Sequence, residues 1–223
     1  MKVLVVAPHP DDETLGCGGT LLKHRAAEDK LFWLIVTQAS EPKWPADTVK
    51  AKRREIESVS AAYGFEKTFQ LGFPATKIDA LPLEDLIQGI REVTGEIKPD
   101  CVYLNHAGDI HSDHRVGFEA VMSAVKPFYS DRHGVRRLLS YEVLSSTDAM
   151  PAVAAPNFIP NVFSNISPYL ERKLEIMALY QTEVQPYPLP RAAESIRALA
   201  RARGATIGVE YAEAFMLIRE TVS

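Results

Sequence analysis

The stretch Lys2-Val3-Leu4-Val5-Val6-Ala7-Pro8-His9-Pro10-Asp11-Asp12-Glu13 decides the fold and marks a candidate site. Its apolar first half predicts a buried strand, because continuous aliphatic runs are typical of the strands of parallel sheets. Its second half places one imidazole and two adjacent carboxylates directly after that strand. Open α/β sheets bind their ligands beyond the carboxyl ends of the strands. The stretch therefore predicts a functional site at the end of the first strand.

Short apolar runs alternate with longer segments of helical period along the rest of the chain. This alternation predicts an α/β fold, a Rossmann-like and mostly parallel sheet sandwiched between helices, with residues 1–223 in a single domain. Right-handed crossovers predict the order 3-2-1-4 for the first four strands. The Pro- and Ala-rich residues 145–160 are predicted to form a loop. The predicted strands are residues 2–7, 31–37, 68–71, 100–105, 138–144, 161–166 and 215–219, and the predicted helices are 14–28, 48–63, 83–98, one beginning within 111–114, 168–180 and 191–203.

A second polar cluster, His111-Ser112-Asp113-His114, follows the apolar run 101–104. In the order 3-2-1-4 the first and fourth strands are neighbours, so the two clusters should face each other across one crevice. His9 with Asp12, and His111 with His114, are spaced so that each pair projects from the same side of a helical turn. We therefore expect a single site built from both clusters.

Imidazoles and carboxylates converging on one crevice point to a divalent metal. Two histidines and one carboxylate suit zinc, although Fe²⁺ or another divalent ion accepts the same donors. We expect His9, His114 and one member of the Asp11–Asp12 pair as ligands. The other aspartate would act as a general base toward a water whose pKa the cation lowers. His111 would then stabilise an oxyanion or protonate a leaving group, with Asp113 holding its tautomer or raising its pKa.

Several other polar residues near these clusters have simpler structural interpretations. We interpret Glu13 as a first-turn carboxylate that interacts favourably with the helix dipole, and Thr14 as a capping residue of the same helix. Cys17, within Gly16-Cys17-Gly18-Gly19, is expected to be a small buried residue of a tight turn rather than a ligand. The loop lacks the glycine spacing of nucleotide-binding motifs. The remaining histidines, which we assign to surface or loop positions, are His24, His106 and His133.

Two further residues are candidates for substrate contacts. Trp44 lies in the polar segment 40–47 after the second predicted strand, where it either stacks on a sugar ring or packs against its own loop. Arg53 lies near the start of the second predicted helix, where it either reaches the crevice or remains solvated.

Composition excludes several function classes. The chain has 223 residues, 46% of them hydrophobic, and a formal net charge of −4. Nonspecific nucleic-acid binding requires a clustered basic surface, so a nucleic-acid partner is not expected. No segment approaches the length of a membrane span, and the amino-terminal run lacks the pattern of a signal peptide. With only Cys17 and Cys101 present, we expect a reducing, cytoplasmic location. A homo-oligomer is compatible with the sequence.

The combination of Ala-Pro-His-Pro-Asp-Asp-Glu, Gly16, Gly18 and Gly19 with the later His-Ser-Asp-His resembles the LmbE-like (PIG-L) family of zinc-dependent N-acetylglucosaminyl deacetylases. The resemblance covers nearly the whole chain. Ser112 replaces the proline that is commoner in the second motif, and Pro8 precedes the first histidine where many relatives have alanine, but neither change removes a ligand. Further stretches in the same order are Arg53 and Glu55 before Ala61–Gly64, Pro160–Phe163, Lys173, and Tyr211–Phe215.

The resemblance implies a Rossmann-like fold and one zinc ion per chain. It assigns the ligands to the positions of His9, Asp12 and His114, and so chooses Asp12 over Asp11. It places the general base at Asp11 and an oxyanion-stabilising or acid histidine at His111. The resemblance also implies that Arg53 contacts the substrate.

These observations lead to one functional expectation with two rivals. We expect a metal-dependent hydrolase that removes the acetyl group from an N-acetylglucosamine-type sugar or sugar conjugate. One rival is an amidase or deacylase that acts on a non-sugar amide or a thiol conjugate. The other is a noncatalytic metal- or nucleotide-binding Rossmann module, against which Asp11 argues, because a binding site needs no unliganded carboxylate beside its metal.

Overall fold

A seven-stranded sheet forms the centre of the computed structural model, which describes residues 1–151 and 156–222. The strand order is β3-β2-β1-β4-β5-β7-β6. Strands β1 to β5 pair in parallel, whereas β7 pairs antiparallel with β5 and with β6. The predicted order 3-2-1-4 is confirmed. The strands are β1 Lys2–Ala7, β2 Lys30–Gln38, β3 Lys67–Pro74, β4 Cys101–Asn105, β5 Arg137–Tyr141, β6 Val162–Asn165 and β7 Ala212–Glu220.

Helices cover both faces of this sheet, as the alternating pattern predicted. Successive residues of β1 point to opposite faces and are buried on both, with Val3 and Val5 in one apolar cluster and Leu4 and Val6 in the other. The α-helices are α1 Asp12–Ala26, α2 Ala46–Tyr63, α3 Leu83–Ile97, α4 Ser112–Ala124, α5 Ser130–His133, α6 Leu170–Met177 and α7 Ala193–Ile207. Helix α5 and two short 3₁₀ turns, Ile78–Ala80 and Pro127–Tyr129, were not predicted.

The pairing of β1 with β4 brings the two polar clusters together. Val6 of β1 is in register with Leu104 of β4, so both strands end at the same edge of the sheet. The segment after β1 enters α1, and the segment after β4 enters α4. Both helices therefore begin beside the same crevice, at the point where the strand order reverses.

A kink divides α1 at Cys17, whose backbone angles are not helical. An unkinked helix would bond the Gly19 N–H to the Leu15 carbonyl. Here the Gly19 N–H donates to Glu213 Oε1 at 2.8 Å instead, and Lys173 Nζ donates to the Leu15 carbonyl at 2.9 Å. A buried ion pair is thus inserted into the helical hydrogen-bond ladder, which is a recognised cause of kinking.

The glycines around the kink allow close packing against the neighbouring elements. A Cβ atom at Gly16 would lie 2.2 Å from the ring of Tyr141, closer than any real contact. Cys17 is fully buried, as predicted, and its thiol bonds to the Glu13 carbonyl, but it lies at the kink within α1 and not in a separate turn. Cys101 is also buried, and both thiols are free.

The remaining histidines were predicted at surface or loop positions. His106 does lie in the loop after β4, whereas His133 is the buried last residue of α5, so the prediction is wrong for His133. His106 and His133 are both 3% exposed, and each bonds through Nε2 to a backbone carbonyl. His24 lies within α1 and is partly buried between Asp29 and the Tyr103 hydroxyl. His106 is bonded to Pro156, 50 residues later in the chain, and a contact of this kind leaves no periodic signal in the sequence.

Two other expectations concern the whole chain. The predicted loop 145–160 falls partly outside the described residues, since it includes 152–155. Within 1–151 and 156–222, no helix has both the length and the apolar character needed to cross a bilayer.

Candidate metal centre

Three side chains from the two clusters converge on one point. His9 follows β1, Asp12 is the first residue of α1, and His114 lies in the first turn of α4. His114 Nε2 is 3.3 Å from His9 Nδ1 and 3.3 Å from Asp12 Oδ2. Asp12 Oδ2 is 3.5 Å from His9 Nδ1. The three donor atoms therefore form a nearly equilateral triangle.

The size of this triangle fits a tetrahedral cation. Ligand bonds of about 2.0–2.1 Å around tetrahedral zinc separate the donor atoms by about 3.3–3.4 Å. His111 belongs to a looser group, in which ligand atoms of His9, His111 and His114 lie within 4.8 Å of one another. Because the Asp12 oxygen is close to both other donors at once, the triangle through Asp12 fits a cation better than the triple-histidine group.

Carboxylates hold both histidines by their other ring nitrogens. His9 Nε2 lies 2.9 Å from Asp113 Oδ2, and His114 Nδ1 lies 2.8 Å from Asp109 Oδ2. Asp109 in turn accepts a bond from the Thr147 hydroxyl at 2.6 Å. Metal-binding histidines are usually oriented by carboxylates in this manner. Asp109 was not predicted as a site residue, because a loop residue five positions before His114 has no helical or strand relationship to it.

The carboxylate of Asp113 makes no hydrogen bond to His111 among the described residues, although its negative charge acts to raise the pKa of His111, as expected. It contacts His9 and accepts a 2.6 Å bond from the Thr76 N–H. Residues at i and i+2 of a helical turn do not face each other, which explains why that bond does not form. Asp113 contacts His111 through its backbone instead: the Asp113 N–H donates a hydrogen bond to His111 Nδ1 at 3.2 Å.

The electrostatics of the triangle favour positive charge. Burial lowers the pKa of His114, but the negative charge of Asp12 and the hydrogen bond to Asp109 outweigh it and raise that pKa to about 10. Burial raises the pKa of Asp12, yet the contacts with His114 and His9 lower it below its usual range. A cluster that stabilises a proton on buried imidazole would also stabilise a cation between the same groups.

Asp11 lies beside the triangle without belonging to it. Its backbone has φ 120°, a conformation that L-residues adopt only when the surroundings impose it. Its carboxylate is buried, and Oδ2 faces Arg191 Nε at 3.4 Å. Burial and the negative charge of Asp12 raise the pKa of Asp11 well above its usual range, against the opposing effect of Arg191.

His111 is the N-cap residue of α4 and is only partly buried. Burial and the neighbouring His9 and His114 lower its pKa to about 4, so the ring is neutral at pH 7. Since Nδ1 accepts the Asp113 N–H, the proton of the neutral ring belongs on Nε2. This nitrogen is then a hydrogen-bond donor.

A cavity of about 270 Å³ opens over these groups. Both candidate substrate contacts, Trp44 and Arg53, line it. The ammonium of Lys43 lies 4.7 Å from the Trp44 ring centroid. The sequence analysis did not identify three charged residues of the wall, which are Lys52, Glu183 and Arg191.

Glu13 lies in the first turn of α1, as predicted, and accepts a hydrogen bond from the Asp11 N–H at 3.1 Å. Its side chain is fully buried and accepts hydrogen bonds from the Tyr180 hydroxyl at 2.6 Å and from the Thr14 hydroxyl. Burial raises its pKa to about 7. Thr14 is not the cap of α1, because Asp11 occupies the N-cap position and makes no side-chain capping bond.

Both polar clusters lie in a part of the chain that matches a known protein family. The sequence model of the PIG-L family, described as GlcNAc-PI de-N-acetylase, matches residues 4–125, which include both polar clusters. The chain belongs to the PIG-L family. The resemblance noted from the motifs is thereby confirmed.

Relatives within the PIG-L family share most of the chain. The uncharacterized deacetylase YaiS of Escherichia coli K12 is 26% identical over 74% of this chain and 81% of its own. The diacetylchitobiose deacetylase of Thermococcus kodakarensis is 25% identical over 97% of this chain and 83% of its own. Among solved structures, the conserved protein TT1542 from Thermus thermophilus superposes with a TM-score of 0.78 at 25% identity, covering 99% of this chain and 96% of that protein.

Proposed function

We propose that this PIG-L family member is a metal-dependent N-deacetylase that acts on an N-acetylglucosamine-type sugar or sugar conjugate. One observation carries the proposal: a donor triangle of the size of a tetrahedral zinc site shares its cavity with a buried carboxylate that is not part of the triangle. The names of the related deacetylases support the choice of an acetamide as the substrate.

His9, Asp12 and His114 would hold the cation, which is zinc by donor type, with Fe²⁺ as the main competitor. When bound there, it would supply Lewis-acid polarisation and would make water a stronger acid. The carboxylates of Asp109 and Asp113 would keep the two imidazoles in the orientation that ligation requires.

The remaining groups of the site would carry the proton transfers. Asp11 would accept a proton from the attacking water as general base. His111 would donate a hydrogen bond from Nε2 to the acetamide oxygen as negative charge develops there. The water oxygen would bond to the acetamide carbon, the C–N bond would break as the proton taken up by Asp11 passes to the nitrogen, and acetate and a free amine would be released.

The cavity wall suggests how a sugar would be held. Trp44 offers a ring face for stacking, and Arg53 offers hydrogen-bond donors at the cavity. The volume of about 270 Å³ suits a small substrate or one residue of a larger one.

A substrate panel tests this function directly. Purified protein is incubated with N-acetylglucosaminyl compounds, N-acetylated non-sugar amines and thiol-conjugate amides, and primary-amine release is measured. We expect release from the sugar compounds, its loss after chelation, and its return on adding Zn²⁺ or Fe²⁺. Release only from the other amides would establish the amidase alternative, whereas tight cation binding without any turnover would establish a binding module.

Metal analysis of two histidine variants tests the ligand set. His114→Ala should lose the single equivalent of cation, because it removes one corner of the donor triangle. The control His24→Ala should keep it, because His24 contacts Asp29 and Tyr103 and does not line the cavity. Full metal content in His114→Ala would refute the proposed site.

A further inference from the structure

The segment between α6 and α7 contributes to the catalytic cavity. Residues 181–192, which we call the strap, contain Pro186, Pro188 and Pro190 and supply Glu183 and Arg191 to the cavity wall. Nothing in the sequence connects this segment with the two polar clusters, which lie more than sixty residues before it.

Helix α2 holds the strap in place. The buried carboxylate of Glu55 accepts two 2.8 Å hydrogen bonds from Thr182, one from its backbone N–H and one from its hydroxyl. Lys52, one turn earlier on α2, pairs with Glu183. The beginning of the strap is therefore fixed by charged and polar contacts that involve both backbone and side chain.

The same network extends to Arg191 at the end of the strap. The Arg191 guanidinium donates to Glu183 Oε2 at 2.6 Å, and its backbone N–H donates to Gln185 Oε1 at 3.2 Å. The side chain and the backbone of Arg191 are thus each held by a hydrogen bond within the strap. Because Lys52 restrains Glu183, the position of the guanidinium depends on α2 as well as on the strap.

Arg191 ends against the carboxylate of Asp11. Its Nε lies 3.4 Å from Asp11 Oδ2, and both atoms are buried without a hydrogen-bond partner among the described residues. The two groups carry opposite charges and these two atoms are buried, so they attract each other although no hydrogen bond forms between them. Asp11 also has a backbone conformation that its surroundings must impose, as φ 120° indicates.

We propose that Arg191 is a positioning residue that fixes the orientation of the Asp11 carboxylate, and that the chain Lys52–Glu183–Arg191 makes the strap an essential part of the site. The inference deepens the proposed function and rests on it, since it takes Asp11 as the general base. Arg191 contacts the base and acts through it. It therefore differs in role from Arg53, for which no charged partner is found in the described structure.

Kinetics of Arg191→Met and Arg191→Lys test the proposal on the metal-loaded enzyme. Arg191→Met should lower kcat by about 10²-fold, because a misplaced catalytic group has an effect of that size. KM should change less than about threefold, and cation content should remain at one equivalent. Arg191→Lys, which keeps the charge, should recover part of kcat. The control Arg172→Met removes an exposed ion pair with Glu175 outside the cavity and should leave both constants unchanged.

A double-mutant cycle separates a role through Asp11 from an independent one. In an Asp11→Asn background, Arg191→Met should lower kcat by less than about threefold further, because the group it positions has already been disabled. Multiplicative losses would overturn the proposal. A rise in KM with unchanged kcat would overturn it as well, since it would make Arg191 a substrate-binding residue.

The position of the Asp11 carboxylate in crystal structures tests the role of Arg191 even if the protein has no deacetylase activity. Absence of amine release by the wild-type protein from every panel compound would count against the function alone. Crystal structures of the wild type and of Arg191→Met would then decide the inference. We expect the Asp11 carboxylate to leave its wild-type position in the variant; an unchanged Asp11 side chain would refute the positioning role.

Discussion

Replacing Lys173 by methionine should destabilise the protein far more than the loss of an ordinary ion pair. Lys173 Nζ bonds to Glu213 Oε1 at 2.7 Å, and the two side chains are only 3% and 4% exposed. Both partners also hold the kink of α1, through the Leu15 carbonyl and the N–H groups of Gly19 and Thr20. The pair therefore supports the helix whose first turn carries Asp12.

The expected loss of stability follows from the charge that the substitution leaves unpaired. Methionine keeps much of the apolar stem that packs against Gly18, but it leaves the Glu213 carboxylate buried without its counter-charge. Removing one partner of a buried pair costs about 3–5 kcal/mol. For a domain of this size, each kcal/mol shifts Tm by about 2–4 °C, so Tm should fall by about 6–20 °C.

Thermal and urea unfolding of Lys173→Met measure the effect, with Arg172→Met as the matched control. The control breaks an exposed pair, which is worth about 0–1 kcal/mol. The double variant Lys173→Met/Glu213→Gln should recover part of the loss, because it also removes the uncompensated charge. A Tm decrease in Lys173→Met no larger than that of the control would refute the role assigned to the buried pair.

Further variants address the site and the packing around the α1 kink. Asp11→Asn should retain the cation and lose about 10²- to 10⁴-fold in kcat, as expected for a missing general base. Asp12→Asn should lose the cation, which elemental analysis measures. If Asp11→Asn loses the cation and Asp12→Asn keeps it, Asp11 is the ligand and Asp12 the base. Asp113→Asn should weaken cation binding by about 10- to 100-fold in a competitive chelator titration, because it releases the outer nitrogen of His9; unchanged affinity would contradict that coupling. Gly16→Ala should cost about 1–3 kcal/mol by overpacking against the Tyr141 ring, which is itself anchored by a 2.8 Å bond to the Val6 carbonyl; a Tm equal to that of the wild type would show that the ring can move aside.

The sequence allowed the parallel part of the sheet and the meeting of the two clusters to be predicted, because general rules govern both. In the common doubly wound arrangement the first three strands step outward and the fourth returns to the other side of β1, which gives the order 3-2-1-4 and makes β1 and β4 neighbours. The positions of β6 and β7 could not be predicted in the same way. These strands pair antiparallel at one edge, and neither crossover handedness nor hydrophobic period specifies which of them lies next to β5.

Within the site, residue types were predictable and contacts were not. The motifs supplied the histidines and aspartates, but Asp113 was assigned to His111 on proximity in sequence alone. The first turn of α4 points its carboxylate away from His111 and toward His9, 104 residues earlier in the chain. The contact between Glu13 and Tyr180 could not be predicted either, because Tyr180 lies 167 residues away and gives no local signal.

These long-range partners explain why the donor triangle can exist at all in a buried crevice. A desolvated cluster of imidazoles and carboxylates is favourable only when each group has a charge or hydrogen-bond partner. His9 is held by Asp113 from α4, His114 by Asp109 from the preceding loop, and Asp11 by Arg191 from the strap. A short motif can encode the donor atoms, but their orientation depends on partners from three other parts of the fold. Changes in Asp109 or Arg191, which lie outside both motifs, should therefore alter the activity of the protein although the motifs are intact.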